Sequence, residues 1–294
     1  MIPIVDAHHH IWRQADLPWL QGPMVPRIFG PYEPIRRDYP IEEYLADIAG
    51  TGVEKSVYVQ ANWAKDRAVD EVAWVQSIGD AHGFPQAIVG YADLASEDAR
   101  QTLTAQAAFP RMRGIRMQLH WHENELYRFA AAPDLMNGRR FRENLRLVAD
   151  HGWSFDLQVF APQMADAARL AADNRDITFV LQHAGMLEDL SDQGRRAWKD
   201  GMRRLADQPN VVSKLSGLGT FLHRNDGAHI AEVVGETIAL FGAERALFGS
   251  NFPIEKLWCS FGELAAAYRD ALAAYPEATQ RAALGETAER VYRL

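Results

Sequence analysis

The chain has 294 residues, a formal net charge of −8 and a hydrophobic content of 48%. This composition is typical of a globular enzyme with a large core, and it offers no basic surface for a nucleic-acid partner. Cys259 is the only cysteine, which excludes an intrachain disulfide and suits a reducing compartment. No apolar run could span a bilayer and no signal peptide is recognisable, so we expect a cytoplasmic protein without a membrane partner.

The first predicted strand contains a group of ionisable side chains within residues 4–12. Because alternate residues of a strand share a face, Asp6, His8 and His10 are expected on one side and His9 on the other. Two imidazoles at this spacing near a strand end can bind a single divalent cation. The pattern therefore indicates a candidate active site at the end of this strand.

Short apolar runs alternate with helical periodicity along the whole chain. The predicted strands cover residues 4–7, 53–61, 87–92, 114–119, 153–160, 177–183, 211–216 and 246–249. The predicted helices cover residues 41–49, 68–82, 97–108, 139–150, 163–172, 194–206, 228–241 and 261–274, followed by a helical tail from residue 276. Eight such units in a chain of this length predict an α/β fold, a (β/α)₈ TIM barrel forming one domain over residues 1–294.

Several of these strands alternate between a polar and an apolar face. The predicted polar faces include Ser56, Tyr58 and Gln60 in the second strand, and the even-numbered residues in 114–122, 154–158 and 212–216. Such groups must bond to one another, to water or to a ligand. Barrel active sites form at the C-terminal ends of strands, where eight polar residues fall: His10, Gln60, His120, His122, Gln158, His183, Ser216 and Asn251.

Six segments resemble motifs of the amidohydrolase superfamily, in its amidohydrolase-related lactonase branch. They are residues 6–12, 113–116, 155–158, 182–186, 214–218 and 248–253, in the order that the family requires. The resemblance spans nearly the whole chain and implies a distorted (β/α)₈ barrel. It also implies a hydrolase similar to those that open sugar lactones and pyrone-dicarboxylate lactones, usually with the help of a divalent metal.

The resemblance assigns His8 and His10 as metal ligands on the first strand and His183 as a ligand on the sixth. Zinc is the divalent metal that such a histidine set favours. Asn251 departs from the family pattern, because many members have an aspartate there that binds metal and acts as general base. A neutral carboxamide cannot take a proton from water and is a poor zinc ligand.

Three alternatives follow from this departure. The metal is held weakly, it is replaced by water as in metal-independent lactonases of this branch, or another carboxylate substitutes for the missing aspartate. Glu255 and Asp156 are the candidates for that carboxylate. Whether or not a metal is bound, the predicted catalytic residues are His8, His10, His122, His183 and Asn251, with His183 or His122 carrying the proton.

The predicted substrate-binding residues are Trp12, Gln60, Arg116, Gln158 and Lys214. Arg116 and Lys214 lie on polar faces, where they either bind an anionic substrate or form an internal salt bridge with Asp156 or Asp93. Residues 13–40 form a long aromatic connection that we expect to act as a lid, a pocket wall or a subunit contact. Asp6 is expected to orient a neighbouring catalytic group.

These features predict a hydrolase that opens a small anionic or polyhydroxylated lactone by attack of water. One alternative is a metal-dependent non-oxidative decarboxylase of the same superfamily. The other is a catalytically silent barrel kept for binding, although the intact His8, His10 and His183 speak against it. The expected partners are a small-molecule substrate and, as in many barrels of this kind, further copies of the chain.

Overall fold

The computed structural model describes residues 2–294 and contains eight parallel strands, each hydrogen-bonded to the next in chain order. The strands are β1 (Ile4–His9), β2 (Val53–Val59), β3 (Ala87–Gly90), β4 (Met112–Gln118), β5 (Ser154–Gln158), β6 (Phe179–Leu181), β7 (Val211–Leu215) and β8 (Ala246–Phe248). Together with the helices between them they form a nearly closed (β/α)₈ barrel, which confirms the predicted fold class. The observed strands are mostly shorter than predicted, because the residues at their C-terminal ends turn into loops.

Helices surround the barrel, and most of them bury one face. They are α1 (Pro18–Gln21), α2 (Ile41–Ile48), α3 (Ala68–His82), α4 (Ala99–Gln106), α5 (Arg139–Asp150), α6 (Met164–Asp173), α7 (Asp192–Ala206), α8 (Gly227–Phe241), α9 (Phe261–Leu272), α10 (Glu277–Arg281) and α11 (Thr287–Tyr292). In α5 the buried residues Phe141, Leu145 and Val148 follow the spacing of one helical face. None of the helices in residues 2–294 combines the length and the apolar character needed to cross a membrane.

The lower part of the barrel is filled by small aliphatic side chains and closed by the C-terminal helix. The interior cluster consists of Val5, Ala7, Val57, Val59, Ala87, Val89, Val180, Val212 and Leu247, packed against Ala288, Val291 and Tyr292 of α11. This packing makes the strands' N-terminal end a hydrophobic core, so the opposite end is left for chemistry.

The predicted orientation of β2 is wrong. Val57 and Val59 belong to the interior cluster, whereas the Tyr58 hydroxyl donates to Glu71 of α3 at 2.7 Å. The polar residue Tyr58 therefore faces the surrounding helices and the apolar ones face the barrel axis. Polarity failed as a guide here because a carboxylate on α3 satisfies the tyrosine hydroxyl outside the barrel.

The alternation predicted for β1 is interrupted by a register shift between Asp6 and His9. Both residues contact Tyr44 of α2: its hydroxyl donates to Asp6 at 2.9 Å, and its ring stacks on His9 with centroids 3.9 Å apart. His8 and His10 lie on the other side, towards the axis. Asp6 therefore does not share a face with them, because the irregularity changes the side to which the later residues point.

The Asp6 carboxylate connects β1 to the segment that follows β8. It accepts hydrogen bonds from the backbone and the hydroxyl of Ser250 at 2.7 and 2.6 Å, from Tyr44, and from the His8 backbone at 3.1 Å. Beyond it, the Asn251 N–H donates to the His8 carbonyl at 2.7 Å. Asp6 was expected to orient a neighbouring catalytic group; it is bonded to the backbone of His8 and not to an imidazole.

We expect Asp6→Ala to lower the free energy of unfolding by about 3 kcal/mol, because it leaves several buried donors without an acceptor. Ser250→Ala removes one hydroxyl donor and should cost about 1 kcal/mol. Urea denaturation followed by tryptophan fluorescence measures both variants. Equal midpoints for the two variants would contradict the closing role of the carboxylate.

Candidate active site

A cavity of about 480 Å³ opens at the C-terminal ends of the strands. Its polar residues are His10, Asn62, Lys65, Arg116, Gln118, His120, Gln158, His183 and Asn251, with Arg27, Glu125 and Arg128 from the loops. Its apolar walls include Trp12, Trp19, Phe29, Trp63, Leu126, Phe129, Met186, Phe221 and Ile254. Apolar walls around a small polar group are the usual composition of a small-molecule site.

Three histidines from different positions of the barrel lie next to one another. The His8 ring centroid is 5.1 Å from that of His10 and 4.8 Å from that of His183. His10 and His183 line the cavity, whereas His8 is fully buried and both of its ring nitrogens lack a partner. Burial, which removes the charged form from water, lowers the pKa of all three imidazoles; that of His183 falls to about 3.

In both His10 and His183 a protein group occupies one ring nitrogen, and this determines which nitrogen is left free. The Nδ1–H of His10 donates to the Val59 carbonyl at 2.6 Å, and Nδ1 of His183 shares a hydrogen bond with the Ser216 hydroxyl at 2.9 Å. In each case Nε2 is the ring nitrogen without a protein partner. Neutral imidazoles held in this way can accept a proton or a hydrogen bond from a bound molecule.

His183 is placed by an unusual backbone. It has a φ of 53° and is followed by Ala184 at 47°, both in the left-handed region that residues with a Cβ seldom adopt. Gly217, itself at a φ of 62°, allows the close approach of this ring, since a Cβ there would lie 2.5 Å from Nδ1 of His183. Such strain concentrates where a side chain must be held in a functional position.

Arg116 supplies a buried positive charge to the cavity. It lies on β4, is 4% exposed, and donates to the Gln60 carbonyl, while its Nε has no partner. No carboxylate in residues 2–294 lies within salt-bridge distance of it. Burial lowers the pKa of Arg116 to about 10, so the guanidinium stays charged at neutral pH.

Gln60 does not line the cavity but holds residues that do. Its side-chain amide donates to Gln118 at 3.3 Å, and its side-chain oxygen accepts from the Asn62 backbone at 2.7 Å. Gln118 and His120 also line the cavity. The sequence placed both on the polar face of the fourth strand, and His120 at its C-terminal end, but assigned neither a role in substrate binding or catalysis.

Besides His8 and Gln60, two further predicted site residues lie away from the cavity. Lys214 is fully buried and its ammonium donates to Asp156 at 2.7 Å, which is the internal salt bridge considered as its alternative role. The Tyr292 hydroxyl also contacts this carboxylate, at 3.2 Å. His122 follows the end of β4, and its ring lies 3.8 Å from Glu188 instead of facing the cavity. Neither residue is therefore placed to touch a substrate.

The connection of residues 13–40 forms one wall of the cavity. Its ends are joined by backbone hydrogen bonds between Trp12 and Tyr39 at 2.8 and 2.9 Å. Trp19, Arg27 and Phe29 face the cavity, and the Trp19 indole donates to the Ala61 carbonyl at 3.0 Å. This agrees with the prediction of a pocket wall and anchors the segment to the end of β2.

The residues around the three histidines do not fit a zinc centre. Asn251 contributes a neutral carboxamide at the barrel end, and the positive charge of Arg116 lowers the pKa of His8, His10 and His183, so it lies close to all three. Within residues 2–294, no three His, Cys, Asp or Glu side chains form a group that could hold a metal ion. A cation placed here would lack a balancing carboxylate and would face a guanidinium.

An amidohydrolase family model matches residues 5–294. The chain belongs to the amidohydrolase family. This amidohydrolase is 33% identical to the uncharacterised protein y4mH of Sinorhizobium fredii, with 100% of this chain and 99% of that protein aligned. It is 29% identical to an L-fucono-1,5-lactonase of Burkholderia multivorans, over 99% of this chain and 96% of the relative.

Solved structures agree with this assignment. A crystal structure of an amidohydrolase from Burkholderia multivorans with bound HEPES superposes with a TM-score of 0.83, at 26% identity and with 99% of each chain covered. A second crystal form of that description contains bound zinc and gives a TM-score of 0.82. The amidohydrolase described here thus shares the fold of a protein that binds zinc, but it presents a donor set that does not fit the metal.

We expect the wild-type protein, purified without any chelator, to contain well under one equivalent of zinc. Asn251→Asp restores a carboxylate at the barrel end and should raise zinc content towards one equivalent. Elemental analysis of both proteins, prepared without a histidine tag, measures this difference. Stoichiometric zinc in the wild type would contradict the fit of the donor set described above.

Proposed function

We propose that this amidohydrolase opens a small lactone carrying a carboxylate, by attack of water in the cavity at the C-terminal end of the barrel. The observation that carries the proposal is the buried Arg116, which faces neutral histidines and has no carboxylate partner. The two L-fucono-1,5-lactonases of Burkholderia among its relatives support hydrolysis of a lactone ester.

Arg116 favours an anionic substrate because a buried charge is stable only when another group compensates it. Lys214 pairs directly with Asp156, whereas the hydrogen-bond partner of Arg116 is a neutral carbonyl, and Asp156 and Glu71 act on its charge only from beyond salt-bridge distance. A guanidinium presents parallel donors that match a carboxylate in geometry. A carboxylate on the substrate would therefore complete the electrostatics of the cavity.

The charged residues at the mouth of the cavity also favour an anionic substrate. The charged side chains that line it are Arg27, Lys65, Arg128 and Glu125; Arg128 lies 3.7 Å from Glu125, and Lys65 lies 3.4 Å from Asp93. Among residues 2–294 no carboxylate forms a salt bridge with Arg27, so its positive charge at the opening attracts anions. The opening thus carries a local positive charge, although the whole chain has a net charge of −8.

His183 is the group best placed to move a proton. Its imidazole is neutral, and after burial the next causes of its lowered pKa are the charges of Arg116 and Lys214. A substrate carboxylate beside Arg116 would offset that repulsion and raise the basicity of the imidazole. Substrate binding therefore makes the base stronger at the moment when it is needed.

The reaction can be written with these groups alone. Water attacks the lactone carbonyl carbon while Nε2 of His183 takes its proton, and the oxyanion receives hydrogen bonds from donors such as the side chains of Gln118 and Arg116. The ring C–O bond then breaks, and the leaving alkoxide takes the proton back from His183. The product is a hydroxy acid, and the imidazole returns to its neutral form.

A non-oxidative decarboxylase would use the same barrel, but it would depend on a metal that holds the substrate carboxylate and a neighbouring hydroxyl. The residues around the three histidines do not favour that chemistry.

A panel of carboxylated and neutral lactones tests the proposal. Acid release is followed with a pH indicator, and the product is identified by NMR. Acid release with a hydroxy-acid product is expected, and carbon dioxide release without it would decide for decarboxylation.

Arg116→Gln should lower kcat/KM for a carboxylated lactone by roughly 100-fold, the scale of a buried charge-assisted pair. The loss for the methyl ester of the same lactone should stay below about 10-fold, because that substrate has no charge to pair. Arg113→Gln is the matched control, since Arg113 lies on the same strand and donates instead to the Pro110 carbonyl. An equal loss for both substrates would contradict carboxylate recognition.

A further inference from the structure

Glu255 is a buried carboxyl group that the mechanism above does not use. It begins the short turn Glu255–Leu257 after β8 and is 1% exposed. Its backbone N–H lies 3.3 Å from the carbonyl of Asn251, four residues earlier. One helical turn therefore separates the carboxyl from the Asn251 side chain, which lines the cavity.

Three donors face this carboxyl. The Trp258 indole N–H donates to Oε2 at 2.7 Å, and the backbone N–H of Gly219 and the carboxamide of Asn251 also face the group. Gly219 permits this packing, because a Cβ there would lie 2.6 Å from Oε2. Among residues 2–294, Oε1 makes no hydrogen bond of standard geometry, so it remains available to the neighbouring carboxamide.

We propose that Glu255 is a positioning residue that fixes the orientation of the Asn251 carboxamide. Its carboxyl accepts the Nδ2–H of Asn251, and the carbonyl Oδ1 is thereby turned towards the cavity. There Oδ1 accepts a hydrogen bond from the attacking water. The proposal rests on the lactone hydrolysis proposed above.

The orientation matters because the two ends of a carboxamide are nearly equal in shape and opposite in hydrogen bonding. A water nucleophile needs acceptors for its two hydrogens, so that an oxygen lone pair points to the carbonyl carbon. His183 supplies one acceptor and Oδ1 of Asn251 supplies the other. An inverted carboxamide would present Nδ2–H to the water and engage the lone pair that must attack.

Burial raises the pKa of the Glu255 carboxyl to about 8, while the surrounding donors lower it. The carboxylate accepts hydrogen bonds from these donors, whereas the hydroxyl of a neutral acid would itself have to donate to a neighbouring oxygen. The orientation proposed for Asn251 is therefore the one that the carboxylate imposes.

Glu255→Gln tests the proposal, because a second carboxamide can pair with Asn251 in either orientation. We expect kcat on the best lactone of the panel to fall by about 10-fold with KM changed less than about twofold, since the water and not the substrate is misplaced. Glu263→Gln is the matched control: Glu263 caps α9 at Ser260, is exposed, and should leave both constants unchanged.

A double-mutant cycle separates positioning from a general structural effect. In the background of Asn251→Ala, Glu255→Gln should produce no further loss of kcat, because the group that it orients is gone. A full second loss in that background would overturn the proposal, and so would an unchanged kcat in the single variant.

A readout independent of turnover distinguishes this inference from the function on which it rests. The protein is labelled with ¹⁵N-asparagine and its side-chain amide resonances are recorded by NMR. The resonance that is missing from the spectrum of Asn251→Ala belongs to the Asn251 side chain. This resonance should shift in Glu255→Gln and stay in place in Glu263→Gln. If no lactone is hydrolysed, the proposed function fails while this shift still reports the contact; an unshifted resonance overturns the contact itself. Should Glu255→Gln fail to fold, Trp258→Phe replaces it in both measurements with the same expected directions.

Discussion

The Asp6 carboxylate is the constraint on which the active end of the barrel depends. β1 and β8 are not joined by a continuous ladder; the seam is formed by Asp6, Ser250 and the bonds between His8 and Asn251. A carboxylate that accepts several buried donors is strongly directional. It fixes the segment after β8 against β1, and so sets the separation between the histidines of β1 and Asn251.

The chemistry of the cavity follows from the burial of its ionisable side chains. Burial keeps His8, His10 and His183 neutral, while Arg116 keeps its charge because a guanidinium is far more basic than an imidazole. A cavity with one cation outside salt-bridge distance of any carboxylate in residues 2–294, and with several neutral acceptors, suits an anion that brings its own reactive ester. The histidines and Arg116 are already in the protonation states that the proposed reaction starts from. The site therefore needs little electrostatic reorganisation during the reaction.

The family resemblance implies an aspartate at the position that Asn251 occupies in this barrel. A carboxamide cannot serve as base, so the proton must move elsewhere, and its orientation has to be imposed from outside. The buried carboxyl of Glu255 is adjacent to it, and the sequence had named Glu255 as a substitute for the missing aspartate. The structure buries Glu255 next to Asn251 and outside the lining of the cavity, and we infer that it orients the carboxamide instead of replacing it.

Side-chain alternation located the polar faces of β4, β5 and β7 correctly, because the ladders from β4 to β8 contain no register shift. It failed for β2, where Glu71 satisfies Tyr58 from outside, and for Asp6, where a register shift changes the side. It also extended β4 to His122, although the strand ends at Gln118 and the following residues turn away. Each failure has its cause in a contact or an irregularity that lies outside the strand's own pattern.

The sequence by itself determined the barrel, the family, and the position of the candidate site at the C-terminal ends of the strands, because periodicity and motif order are local properties of the chain. The tertiary structure decided which buried cation has an ion-pair partner. Lys214 pairs with Asp156, whereas Arg116 lies within salt-bridge distance of no carboxylate in residues 2–294. It also decided that Glu255 lies next to Asn251 and that Arg116 lies close to His8, His10 and His183. Pairings of this kind depend on distances between segments far apart in the chain, and no local pattern encodes them.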